Sequence, residues 1–97
     1  MTYNAHFDSS PAWSPDGTQI TFDSHRSFSG LSAEYVDIYV INADGSSEIK
    51  LTNNSARDFD PAWSPDGAKI AFSSNRDGNF EIYVMEADGT GQTRLTD

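Results

Sequence analysis

The chain contains one seven-residue stretch twice, Pro11-Ala12-Trp13-Ser14-Pro15-Asp16-Gly17 and again, unchanged, at residues 61–67, an offset of 61 − 11 = 50 residues. The Ser-Pro-Asp-Gly portion is typical of a turn, because Pro fixes φ at the second position and Gly accepts the positive φ that follows. Residues 19–22 and 69–72, which come next, alternate between polar and apolar side chains as half-buried strands do. The repeated stretch therefore predicts a β-hairpin that forms twice.

Composition restricts the class of protein. A chain of 97 residues forms one small domain at most. It contains no cysteine, so neither disulfides nor thiolate metal sites stabilise it. No apolar run approaches the ~20 residues of a membrane span, and the first residues do not show the charged-then-apolar pattern of a signal sequence. The net charge of −9 argues against a nucleic-acid surface. We therefore expect neither nucleic acid nor a membrane as a partner.

The repeat extends over almost the whole chain and divides it into two units, which we place at residues 1–52 and 53–97. The first unit carries an enlarged connection at 27–36, after which the two units align at an offset of 82 − 38 = 44 residues. Each unit is expected to form four short strands, because runs of strand-forming residues alternate with turn signals and helical periodicity is absent. We expect these strands near 11–14, 19–23, 37–42, 48–52, 61–64, 69–73, 81–86 and 93–96.

The third strand of each unit, 37–42 and 81–86, has apolar or aromatic side chains in both parities. A strand with two apolar faces is buried on both sides. A four-stranded antiparallel sheet that packs between similar sheets is a blade of a β-propeller. The sequence therefore predicts an all-β chain of two propeller blades, and the strand aromatics Trp13, Trp63, Tyr39 and Tyr83 are expected in the blade cores.

The pattern Pro-Ala-Trp-Ser-Pro-Asp-Gly-x-x-Ile-x-Phe-x-Ser-x-Arg, followed by Ile-Tyr-Val, Ala-Asp-Gly and Leu-Thr, closely resembles the WD40-like (PD40) repeat of TolB-like β-propellers. The resemblance implies a closed ring, commonly of six blades, and a periplasmic or extracytoplasmic origin. Two units are not a ring, and the additional N-terminal domain of TolB has no counterpart in this sequence.

Two blades alone would expose apolar faces, so we expect self-assembly. A head-to-tail contact between chains continues the internal repeat and ends only by closing a ring. The sequence therefore predicts a homotrimer with six blades, with a homotetramer as the alternative.

Binding residues are expected on the longer connections, which lie together at one end of a propeller. A protein or peptide is the expected partner there, and solvated connectors with packing aromatics are the alternative. Arg26 and Arg76 occupy equivalent positions, as do Asp8 and Asp58, so they form either a ring of charges or structural pairs that hold each connection. The candidate binding residues are His6, Phe7, Asp8, Arg26, Phe28, Tyr35, Arg57, Asp58, Phe59, Asp60 and Arg76.

Metal binding and catalysis have little support in the sequence. Asp77, Asn79 and Glu81 offer oxygen ligands at alternate positions, but a plain Asp-Gly turn explains them better than calcium does. Aspartates repeated around a ring could hold a cation on its axis, which is a weak signal. No nucleophile motif is present. We therefore expect a non-enzymatic module without cofactor or metal. The alternative is a fragment of a propeller enzyme, or of a TolB-like periplasmic protein with a ligand or cation site in the central channel.

Overall fold

Two four-stranded antiparallel sheets make up the fold in the computed structural model, which describes the backbone of residues 6–26, 36–52 and 57–96 and the side chains of 9–24, 36–52 and 57–96. Each sheet is a simple meander, so strands that are neighbours in the sequence are also neighbours in the sheet. All regular secondary structure in the described residues is β-strand, which confirms the all-β prediction. The first sheet contains β1 (His6–Trp13), β2 (Gln19–Arg26), β3 (Val36–Asn42) and β4 (Ile49–Lys50), and the second contains β5 (Asp58–Trp63), β6 (Lys69–Ser74), β7 (Glu81–Glu86) and β8 (Thr93–Arg94).

The first strand of each sheet begins earlier than the sequence predicts, at His6 instead of residue 11 and at Asp58 instead of residue 61. A β-bulge explains the difference, because the pairing register shifts between Ser9 and Ala12 and again at the equivalent place in β5. Ser10 and Asp60 lie in the bulges with φ of 54° and 57°. Positive φ is uncommon for residues other than Gly, so the sequence gives no warning of these bulges.

The repeated Ser-Pro-Asp-Gly stretch forms the predicted turn. The Gly17 amide donates to the Ser14 carbonyl at 2.9 Å, and Gly17 has a φ of 75°. The Asp16 carboxylate accepts from the Ser14 hydroxyl at 2.7 Å and from the Thr18 amide at 3.0 Å, and these hydrogen bonds lower the pKa of Asp16. Residues 64–69 repeat the arrangement with Asp66, so the turn is a rigid part of each unit.

The fourth strand of each sheet is only two residues long, shorter than expected. A threonine side chain takes the place of the next backbone hydrogen bond between the third and fourth strands. In the first sheet the Ile38 amide donates to Thr52 Oγ1 at 3.0 Å, and Thr52 donates to Asp37 at 3.1 Å. Burial raises the pKa of Asp37, against the opposing effect of Lys50 Nζ at 3.2 Å from its carboxylate. In the second sheet Thr96 accepts from the Ile82 amide at 2.9 Å.

Strand register assigns each side chain to one of two faces. The first sheet has an inner face that points toward the second sheet and an outer face that points away from it, and the second sheet likewise has an inner and an outer face. Cross-strand pairs place Thr21 with Val40 and Asp23 with Ile38 on the inner face of the first sheet, and Ile20 with Ile41 and Phe22 with Tyr39 on its outer face. The second sheet has Ile70 with Met85 and Phe72 with Tyr83 on its inner face, and Ala71 with Val84 and Ser73 with Ile82 on its outer face.

The hydrophobic core lies between the two inner faces, and we call this contact the junction. Trp63 is partly buried and packs against the core cluster. Because both sheets contribute to one core, the two blades fold against each other, as the two-sided third strands predict. The cluster comprises Ile38, Val40, Leu51, Ile70, Phe72, Tyr83 and Met85.

Candidate functional site

The junction shows how one blade of this sequence binds the next. Hydrogen bonds also cross it, besides the apolar contacts. The indole Nε1 of Trp63 donates to the Ala12 carbonyl at 3.1 Å. The Asp60 amide donates to the Asp23 carboxylate at 2.9 Å, and the Gln92 side-chain amide donates to the Leu51 carbonyl at 3.4 Å. The junction is therefore an apolar contact with a defined set of polar groups at its margin.

The repeat makes the two outer faces counterparts of the two inner faces. At the offsets of 50 and 44 residues, Ile20, Phe22, Tyr39 and Ile41 on the first outer face correspond to Ile70, Phe72, Tyr83 and Met85 on the second inner face. The second outer face corresponds to the first inner face in the same way. The two outer faces of one chain thus carry residues equivalent to those of the two inner faces that pack at the junction.

Some equivalent residues differ sharply in exposure between an outer and an inner face, whereas Phe22 and Tyr39 on the first outer face are buried like their counterparts Phe72 and Tyr83. On the second outer face Ile82 is 40% exposed, whereas its counterpart Ile38 at the junction is 0% exposed. Leu95 is 61% exposed and its counterpart Leu51 is 8% exposed. Trp13 is 61% exposed, so the expectation that it lies in a blade core is wrong for the single chain. Trp63, which has the same neighbours in the sequence, packs at the junction.

The first outer face contains a pocket of about 280 Å³. Its walls are mostly apolar and come from Pro11, Ile20, Phe22 and Ile41, with Ser9 and Glu48 at the margin. Phe22 and Tyr39 stack beside it with their ring centroids 5.7 Å apart.

Arg76 and Asp58, two of the predicted binding residues, lie at the end of the second sheet that carries the longer connections. Arg76 Nη2 is 3.5 Å from the Asp58 carboxylate, which is completely buried. The guanidinium also lies over Tyr83, 4.4 Å from the ring centroid, and donates to Gln92 Oε1 at 2.8 Å. These contacts favour the structural pair over a ring of free charges in the second unit, because the arginine is already engaged.

The other candidate residues are only partly described. Phe59 packs against Phe80 with the rings tilted and their centroids 5.9 Å apart, and Asp60 accepts from the Ser10 hydroxyl at 3.0 Å. The Arg57 backbone forms an isolated parallel bridge with Val36. His6, Phe7, Asp8 and Arg26 lie in strands whose side chains at those positions are outside the described part, and Phe28 and Tyr35 lie outside the described residues altogether. Binding at this end of the molecule therefore stays a prediction.

The segment that contains Asp77 forms a turn, as the sequence predicts. The Asp77 carboxylate accepts from the Tyr83 hydroxyl and from Arg94 Nη1, the latter at 3.1 Å, and these contacts lower the pKa of Asp77. Glu81 accepts from the Thr96 hydroxyl at 2.6 Å. Within residues 6–26, 36–52 and 57–96, no three His, Asp or Glu side chains are grouped as a metal site would require. The same residues include no helix of the length and hydropathy that crossing a membrane demands.

Asp23 and Gln92 are the junction residues that the sequence reasoning missed. A usable signal was present, because the aligned positions in the other unit hold Ser73 and Glu48.

The fold and the repeated contact define a β-propeller blade pair. The family profile described as "TolB beta propeller domain" (PD40) matches residues 8–97. The chain belongs to this family, which confirms the resemblance seen in the sequence.

Known proteins of similar sequence and structure agree with this assignment. The chain is 36% identical, over 85 residues that make up 88% of it, to an uncharacterized protein of Agrobacterium fabrum, and covers 27% of that protein. A TolB candidate from Agrobacterium tumefaciens superposes with a TM-score of 0.80 at 34% identity, over 99% of this chain and 32% of that one. TolB from Acinetobacter baumannii gives a TM-score of 0.75 at 28% identity, over 97% and 22% of the two chains.

A mutant puromycin hydrolase shares the fold alone. It superposes with a TM-score of 0.73 at 20% identity, over 92% of this chain and 14% of that one. The chain thus spans about a third or less of the relatives that it matches.

Proposed function

We propose that the chain is a two-blade building unit that closes a propeller ring with copies of itself. The observation that carries the proposal is the exposure of Trp13, Ile82 and Leu95, whose counterparts in the other unit are packed at the junction. A contact between the second outer face of one chain and the first outer face of the next would bury all three. It would repeat the junction with nearly the same side chains.

The area available for contact between chains supports ring closure. Each sheet face measures roughly 300 Å², from strands of about five residues at ~3.3 Å spaced ~4.8 Å apart. One contact between chains then buries about 600 Å², below the roughly 1,000 Å² expected of a stable interface. In a closed ring every chain makes two such contacts and buries about 600 Å² of its own surface, so the ring supports what a single pair does not.

Six blades, a homotrimer, are the expected ring. The family resemblance implies six, and the chain covers 32% of the Agrobacterium tumefaciens structure, so three copies carry as much sequence as 3 × 32 = 96% of that chain. A homotetramer with eight blades is the alternative, since propeller geometry accepts four to eight. We expect the ring to have no catalytic activity of its own.

Light scattering after size exclusion tests the proposal. We expect the mass of three chains, and a mass of four chains would keep the architecture with a different blade number. Substitution Ile82→Lys places a charge on the second outer face and should give monomers. The control Ala68→Lys adds the same charge at an exposed turn position and should leave the assembly intact. A wild-type chain that stays monomeric at all micromolar concentrations would refute the proposal.

A further inference from the structure

Gly89 lies in the turn after β7 and is covered at the junction by Leu51 of the other blade. A Cβ added at Gly89 would lie 2.8 Å from the Leu51 carbonyl oxygen and 3.4 Å from both Cα and Cδ2 of that leucine. The nearest of these atoms belongs to the backbone, which cannot rotate away as a side chain does. The close approach of the two blades therefore requires a residue without a Cβ at this point. We call this the leucine–glycine contact.

The turn after β3 in the first unit has the same backbone geometry and is open. Its glycine, Gly45, has a φ of 90°, and Gly89 has a φ of 91°. In each turn the glycine amide donates to the carbonyl three residues earlier, at 2.8 Å from Gly45 and at 2.9 Å from Gly89. Among the described residues, no atom lies within 4 Å of the place that a Cβ would take at Gly45. Gly45 therefore presents on the first outer face the same surface that Gly89 presents to Leu51.

Leu95, the counterpart of Leu51, is placed like it at the end of the second unit. Both leucine amides donate at 2.7 Å to the carbonyl of the isoleucine in the third strand of their own sheet. Leu51 is 8% exposed and Leu95 is 61% exposed. Because these matches are between backbone atoms, they do not depend on how any side chain is turned. Leu95 therefore holds, on the second outer face, the position from which Leu51 covers Gly89.

We propose that Gly45 is a docking point for a second copy of this chain, whose Leu95 covers it as Leu51 covers Gly89. This role of Gly45 rests on the proposed function, because it names a residue pair of the contact between chains. The partner is a second copy, since the leucine that fits the open turn is exposed on the opposite face of this same chain. The positive φ gives Gly45 a local role in its turn, but that role needs no free space beside Cα.

Gly17 supplies a matched control. It has a φ of 75°, and among the described residues no atom lies within 4 Å of its Cβ position, as at Gly45. Its counterpart Gly67 does meet the other blade, but a Cβ there would be 3.6 Å from the Pro15 side chain, which is an ordinary van der Waals distance. The single chain thus gives Gly17 and Gly45 similar surroundings. A copy of the junction between chains would tolerate a Cβ at Gly17 and exclude one at Gly45.

Sedimentation equilibrium of the wild-type chain, Gly45→Ala and Gly17→Ala tests the role. Gly45→Ala should raise the dissociation constant of each contact between chains about ten-fold or more, because the backbones must separate to admit the methyl group. Gly17→Ala should change it by less than about two-fold. Urea unfolding at the lowest concentration should show a similar loss of single-chain stability in both variants, since both place Ala at a positive φ.

A second pair of variants keeps the test valid if the alanine variants do not fold. Gly45→Asn and Gly17→Asn repeat the comparison with a residue that tolerates positive φ better than Ala does. The same difference in assembly is expected, because Asn also carries a Cβ.

The outcomes separate the role of Gly45 from the ring on which it rests. If the wild-type chain assembles and the two alanine variants assemble equally well, whether unchanged or equally weakened, the role of Gly45 is refuted and the ring stands. An equal weakening would show that the positive φ, and not a neighbouring chain, is the cause. If no chain associates, the wild-type chain included, the ring fails and the role of Gly45 fails with it.

Discussion

Leu51 and Leu95 are equivalent residues whose truncation should have different consequences. Leu51 lies in the core cluster at the junction, and replacing a buried Leu by Ala costs roughly 2–5 kcal/mol. Leu51→Ala should therefore lower the free energy of unfolding of a single chain by about 3 kcal/mol. Leu95 already exposes 61% of its surface, so Leu95→Ala should change that free energy by less than about 1 kcal/mol.

The order reverses for assembly. Complete burial of a Leu side chain is worth roughly 1.5–3 kcal/mol, and the exposed 61% of Leu95 accounts for about 1–2 kcal/mol of that per contact. Leu95→Ala should therefore weaken each contact between chains about 5- to 30-fold. Leu51→Ala, measured under conditions in which it is still folded, should weaken assembly only indirectly. Any effect should come from poorer packing at the junction within the chain.

Two measurements test the predictions for Leu51→Ala and Leu95→Ala. Urea unfolding followed by tryptophan fluorescence at low concentration gives the stability of the single chain, and light scattering over a concentration series gives the assembly. Equal loss of single-chain stability in the two variants would show that position 95 is already packed like position 51. Unchanged assembly of Leu95→Ala would show that chains do not join by copying the junction.

Three further predictions use the same symmetry or the turn contacts. Trp63→Phe removes the indole hydrogen bond across the junction and should destabilise the single chain by about 1 kcal/mol in urea unfolding. Trp13→Phe should affect only assembly, which light scattering would show. Gly89→Ala should destabilise more than Gly45→Ala in thermal unfolding, since both have φ near +90° but only at Gly89 would a Cβ lie 2.8 Å from a backbone oxygen of the first unit. Asp77→Asn should lower Tm at neutral pH and not at low pH: the folded-state pKa of Asp77 lies below 3.8, so its stabilisation is present above that value and is lost as the pH falls through the lowered pKa.

Local patterns were enough to predict the hairpins and the blades. The turn residues determine their own geometry through contacts between near neighbours, as the Asp16 hydrogen bonds show. The alternating second strands and two-sided third strands then restrict how the sheets pack. For these reasons the repeat predicted the two four-stranded antiparallel sheets and the propeller class correctly.

Non-local contacts limited what the sequence could predict about the candidate site. Trp13 and Trp63 have identical neighbours over seven residues, yet one is exposed and the other packs at the junction, because only the second faces another blade. Likewise the Asp60 amide donates to the carboxylate of Asp23 from the other unit, 37 residues away, a contact that local patterns do not predict. No local signal predicts which copy of a repeat meets a partner.

The short fourth strands restrict the kind of aggregate that this chain can form when it does not close a ring. Each outermost strand offers only two residues for pairing, and a threonine hydroxyl takes up the next amide of its neighbour. Lys50 and Arg94 end these strands with positive charge. Short, charged edges of this kind block the strand-by-strand addition that builds amyloid. Chains that do not close a ring should therefore associate through their faces and not edge to edge, and the resulting polymers should not bind amyloid dyes.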